Sequence, residues 1–219
     1  MDSTPSKRSR RRSTKKSPGF DFTERMRLLC HDMTRRVPEL SHIDFHRVAV
    51  SFCQTRKSVK HGMYASLTPM RFPGGELSVV RGGRNWGIQR LQDNVGREML
   101  YILSFYLPRF LDLEFREKLT TIVHELWHIS PRFNGDVRRF RGRCYAHSGS
   151  QKSFDAVAER LADDWLSRKP PAELYDFLHH GYRKLSELHG AVYGTKIPAP
   201  KLYPILKSEA VRREGHLGH

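Results

Sequence analysis

Five consecutive residues, His124-Glu125-Leu126-Trp127-His128, have types and spacing that can do chemistry. On a helix, positions i and i+4 lie about 40° apart, so both imidazoles leave the same face. Two imidazoles so placed can hold one zinc ion from one side. Glu125 is offset by one residue and points beside that position, where a carboxylate can take a proton from a metal-bound water. The surrounding run, Leu119 to Ile129, is apolar around most of its circumference: Leu119, Ile122, Val123, Leu126, Trp127 and Ile129. Such a helix is normally buried, and buried polar groups need partners. A metal supplies the partner that this His-Glu-His set requires.

The elements that must position this helix follow from periodicity. Phe22, Met26, Leu29 and Met33 recur at helical spacing and predict a first helix over 20–40, ended by Pro38. Alternation predicts strands over 46–55 and 63–72, and Leu77 to Val80 reads as a short third. Arg81 to Asn85 reads as a loop. Met99 to Leu107 is nearly continuous in apolar β-formers, as a strand buried on both faces would be. Asp112 and Glu114 favour the start of the next helix, which runs into the His-Glu-His set. After Ser130-Pro131 comes an arginine-rich loop to Ser150. A helix is predicted over 154–167, capped by Ser153, and a last one over 172–192. The fold class expected is α+β: a small mixed or antiparallel sheet of three to four strands packed against the His-Glu-His helix and flanking helices.

Domain boundaries follow composition. Residues 1–19 form a basic arm expected to lack structure, residues 20–195 one folded domain, and residues 196–219 a Pro-rich, polar tail expected to fray. The formal net charge of +16 favours polyanionic partners or an acidic substrate. The three cysteines, Cys30, Cys53 and Cys144, show no CxxC spacing, which points away from a disulfide framework and towards a reducing, cytoplasmic compartment. No apolar leader and no uninterrupted apolar run of about 18 residues is present, so neither a signal peptide nor a membrane span is expected.

The element order and the residues His124-Glu125-Leu126-Trp127-His128 resemble the small zincin metallopeptidases, above all the SprT-like proteins and related phage and bacterial HExxH peptidases. The resemblance spans about residues 20–167, with the five-residue motif its one specific feature. It implies a zincin-like fold, Zn2+ as cofactor, Glu125 as general base, a protein or peptide substrate, and a strand, here the one ending near Leu107, that pairs with an extended peptide. It also implies a third ligand beyond the loop, often in a His-Gly pair. The pair here is Arg141-Gly142, which cannot ligate zinc. Three candidates follow: His147, before the closing helix; Glu159 on that helix, with Asp163 as its orienting partner; and Asp136. Tyr145 or an arginine among Arg138, Arg139, Arg141 and Arg143 could stabilise an oxyanion. A competing reading is a nucleic-acid-associated protein with a structural zinc site and the basic arm as its phosphate-binding element.

That arm carries a test of its own. Lys7, Arg8, Arg10, Arg11, Arg12, Lys15 and Lys16 stand in ten positions without an acidic residue among them. If they neutralise phosphates, log affinity for duplex DNA falls with log salt by about 0.9 per phosphate, with little sequence preference. Deleting residues 1–19 is then expected to weaken DNA or RNA binding and flatten the salt slope, leaving thermal stability unchanged. Titrations of both chains at several salt concentrations check this.

Overall fold

The structure, a computed structural model, describes residues 19–55, 62–139 and 151–206. In chain order the elements are β1 (Phe20–Asp21), α1 (Phe22–Arg36), β2 (Val48–Gln54), β3 (Ala65–Pro69), β4 (Ser78–Arg81), β5 (Arg84–Ile88), β6 (Leu91–Gln92), β7 (Glu98–Met99) and β8 (Tyr101–Leu107). They continue with α2 (Phe115–Trp127), α3 (Gln151–Ser167), α4 (Tyr182–His189), β9 (Val192–Tyr193) and β10 (Leu202–Pro204). The class is α+β, as its periodicities predict. Among the described residues no helix is long and apolar enough to cross a membrane.

The central sheet has the order β2-β8-β3 and is mixed: β2 runs parallel to β8, and β3 antiparallel. β8 is central because its apolar run suits burial on both faces, and only Tyr106 of its seven residues is not buried. This overturns the expectation that β8 pairs with a substrate peptide, since both its edges are already bonded. The outer edge of β2 is covered as well: Phe52 N–H donates to the Thr195 carbonyl (2.8 Å), and Ile197 N–H to Ser51 Oγ (2.9 Å). β3 is different. Tyr106 N–H donates to the Tyr64 carbonyl and Met70 N–H to that of Leu100, so the even-numbered residues of β3 face β8. The main-chain groups of Ala65, Leu67 and Pro69 therefore point to the other edge. Among the described residues no strand pairs with that edge.

The helices cover this sheet. α1 is capped by Asp21, whose carboxylate accepts Glu24 N–H (3.1 Å), and packs Phe22, Met26, Leu29, Cys30 and Met33 inward. α2 starts on a capping box, Glu114 with Glu117, and buries Leu119, Ile122, Val123 and Leu126. α3 lies against α2. It begins at Gln151, so Ser153 sits inside it and is not the cap that its residue type suggests.

Three further readings change. The segment read as one helix over 172–192 is two 3-10 turns, Ala172–Leu174 and Asp176–His179, followed by α4. The cause is Lys118 on α2. Its buried ammonium donates to the carbonyls of Leu178 (2.7 Å) and His180 (3.1 Å), so those acceptors are not spent on helix bonds. Arg81 to Asn85, read as loop, holds the end of β4, a two-residue turn and the start of β5, because Gly82 (φ 58°) and Gly83 (φ 72°) make the turn that the two strands need. Residues 196–206 do not fray, since β10 pairs antiparallel with β5. The basic arm up to residue 18, and residues 207–219, lie outside the described residues.

Replacing Lys118 by Met keeps the bulk and leaves the buried Leu178 carbonyl and the part-buried His180 carbonyl without their donor. The expected cost is about 1–3 kcal/mol for each acceptor that stays dry. Chemical denaturation measures it.

Candidate metal centre

His124 and Glu125 stand in the last turn of α2, and His128 is its C-cap with helical dihedrals (φ −68°, ψ −17°), so the i, i+4 relation survives the helix end. The two Nε2 atoms are 3.1 Å apart. Two nitrogens bound tetrahedrally to one zinc, at ~2.0–2.1 Å each, lie roughly 3.3 Å apart. The pair thus has the separation that a shared zinc ion requires, within a small relaxation.

Two neighbours on α3 fix the rings. Asp155 Oδ1 lies 2.9 Å from His124 Nδ1. A carboxylate there holds the proton on Nδ1 and makes Nε2 the unprotonated nitrogen, the tautomer that binds a metal. The Phe154 ring stacks on His128 (centroids 4.5 Å, 26°) and meets His124 edge-on (4.7 Å, 62°). Sequence reasoning missed both residues. A signal existed: Phe154, Ala158, Leu161, Ala162 and Trp165 form the buried stripe of α3, and Asp155 flanks it. Asp163, expected to orient a ligand, forms an ion pair with Arg116 instead.

Glu125 is set against the sheet. Burial pushes its carboxyl up to about 7, and the main-chain N–H of Leu67, on the unpaired edge of β3, donates to it and opposes the rise. A carboxyl near 7 suits proton transfer at neutral pH.

The third position is reached differently by each candidate. The Asp136 carboxylate is already committed, accepting from Gly74 N–H (2.8 Å), Val137 N–H (2.8 Å) and the fork of Arg139 (2.8 and 2.9 Å). Glu159 stands one turn beyond Asp155, on the wall of a cleft of about 490 Å3 between α2 and α3. His147 lies outside the described residues, as do Arg141, Arg143, Cys144 and Tyr145. Among the described residues no group of three or more His, Cys, Asp or Glu side chains is placed to hold a metal.

The segment after α2 braces the site. Arg138 N–H donates to the His128 carbonyl (2.6 Å) and Arg138 Nε to that of Trp127 (2.7 Å), while its guanidinium lies 3.7 Å from the Trp127 ring centre. Tyr101 Oη donates to the Asp136 carbonyl (2.8 Å) and accepts Gly135 N–H (3.0 Å). Arg138 and Arg139, which the sequence suggests as oxyanion donors, thus hold the turn after α2.

Comparison of the chain with protein-family models, with curated proteins and with solved structures gives no match.

The raised carboxyl of Glu125 has a consequence for the metal-free chain. Its folded value is near 7, against about 4.3 when unfolded. Between these values the unfolded chain has released the proton and the folded chain retains it. Stability therefore falls as pH rises from about 4.5 to about 7, by up to ~1.4 kcal/mol per unit. Glu125→Gln is expected to flatten this limb, and denaturation of both chains in chelator across that range tests it.

Proposed function

We propose that the chain is a zinc-dependent metallopeptidase of the small zincin type. The observation that carries the proposal is the convergence of His124 and His128 Nε2 beside a half-buried Glu125, under an edge of β3 that no strand among the described residues pairs with. Neutral imidazoles with a carboxylate behind one of them are a donor set that suits zinc. His124 and His128 supply two ligands. His147 is the third in this reading: Asp136 is committed elsewhere, and Glu159 follows a residue, Asp155, that already faces the outer nitrogen of His124.

When bound, zinc supplies a water acidic enough to ionise near neutral pH. Glu125 accepts the proton released in attack on the scissile carbonyl and returns it to the leaving amine. Asp155 holds the His124 tautomer throughout. The peptide lies along the edge of β3, where Ala65 offers its main-chain N–H and carbonyl and Leu67 its carbonyl, the Leu67 N–H being held by Glu125, as in strand addition. The edge of β3 thus takes the part that the sequence assigned to β8.

Metal analysis of the purified protein is the primary test, with one zinc per chain expected. Glu125→Gln is expected to retain that zinc and lose at least about a hundredfold in peptide hydrolysis. Loss of zinc in this variant would make Glu125 a ligand and sink the assignment. Asp155→Ala is expected to weaken zinc by about 10–100-fold, measured against a competing chelator. His147→Ala is expected to weaken it more than Glu159→Ala, and the reverse ranking would place the centre in a His-His-Glu class.

A further inference from the structure

A second cleft, of about 280 Å3, lies between the C-terminal half of α1 and the turn that leads into β2. It shares no lining residue with the cleft between α2 and α3. Its walls include His31, Thr34 and Arg35 from α1, and Ser41, Asp44 and His46 from the turn. The rings of His31 and His46 are neighbours, tilted by 57° with centroids 5.3 Å apart.

The helix brings cations to this cleft in register. Arg27, His31 and Arg35 are spaced by four, so they follow one face at a rise of about 6 Å per step. The opposite face is buried in the core. The neighbouring carboxylates are mostly engaged. Glu24 is held by Arg27 (2.7 and 2.8 Å), and Asp32 by Arg36 (2.8 Å) and Trp165 Nε1 (2.9 Å). Asp44 accepts the main-chain N–H of its own turn at His46 (3.1 Å). Among the described residues no carboxylate lies within ion-pair distance of His31, Arg35 or His46.

Burial, then His46, Arg35 and Arg27, hold His31 below the ordinary histidine range, while Asp32 pulls weakly the other way. With both rings neutral, Arg35 and Asp44 leave the cleft near zero charge. With both protonated it carries about +2, and an anion between the rings removes their repulsion. Protonation and anion binding then assist each other equally, by linkage.

We infer that this cleft is a binding site for a phosphate-type oxyanion, held by His31, His46 and Arg35 and favoured as pH falls below 7. The chain's charge of +16 makes the phosphate of a nucleic-acid backbone the prime source, and a free phosphate ester offers the same group.

Histidine Cε1–H resonances of the full chain, titrated with inorganic sulfate at constant ionic strength, test the site. Sulfate is the probe because it does not titrate between pH 5 and 8. The expected result is a saturable shift of the His31 and His46 signals, with binding about tenfold tighter at pH 5.5 than at pH 7.5, equivalent to one pKa unit on one histidine. Arg35→Ala and His46→Ala, both exposed positions, are expected to abolish the shift without moving the melting temperature. Displacement of sulfate at a lower concentration by a single-stranded oligonucleotide than by a nucleoside monophosphate supports the polymer as source. The reverse order supports the site with a small ester as its ligand. Because the readout is His31 itself, binding through the arm at residues 1–19 does not mimic it. A shift no larger than chloride produces, or unchanged sulfate affinity in Arg35→Ala with His46→Ala, overturns the inference.

Discussion

The contact on which the candidate centre depends is the packing of α3 across the last turn of α2. Helical geometry alone places His124 and His128 on one face, but a free imidazole rotates and exchanges tautomers. Asp155 and Phe154, adjacent on α3, remove both freedoms: one by a hydrogen bond to Nδ1, the other by stacking on the second ring. Phe154 can do this because its own helix is anchored further along by Ala158, Leu161 and Trp165, all fully buried. Orientation at the site thus derives from apolar burial elsewhere on α3.

The second constraint is desolvation. β8 is bonded on both sides, so among the described residues β3 is the sheet's open edge, and it lies over α2. That position half-buries Glu125 and lifts its carboxyl while offering it one main-chain donor, Leu67. A carboxylate in a fully solvated loop would stay near 4.3 and be a poor base at neutral pH. The unpaired edge and the tuned carboxyl therefore share a cause, the place of β3 in the sheet.

Around this centre, charged side chains absorb the polar groups that chain reversals expose. Lys118 takes two carbonyls where the C-terminal segment turns, Asp136 gathers two N–H groups and Arg139, and Arg138 bonds the carbonyls at the end of α2. Read by residue type, these side chains look like ligand or substrate groups. In the fold they hold the backbone, because a buried unpaired main-chain group costs more than a surface charge gains.

Much of the fold was legible in the chain. The faces of α1 and α2, the burial of β8 and the juxtaposition of His124, Glu125 and His128 all follow from periods of 3.6 or 2, which are local properties of the backbone. What the sequence could not decide depends on groups far apart along it. The break before α4 depends on Lys118, some sixty residues upstream, and the return of 202–204 to β5 on a pairing more than a hundred residues apart. That Asp155 meets His124 while Asp163, read as the orienting partner of Glu159, meets Arg116 depends on how two helices cross, for both aspartates stand on α3. Local spacing determines which side chains share a face. Only tertiary packing decides which of them meet, because that is set by burying apolar surface from elements the local pattern does not relate.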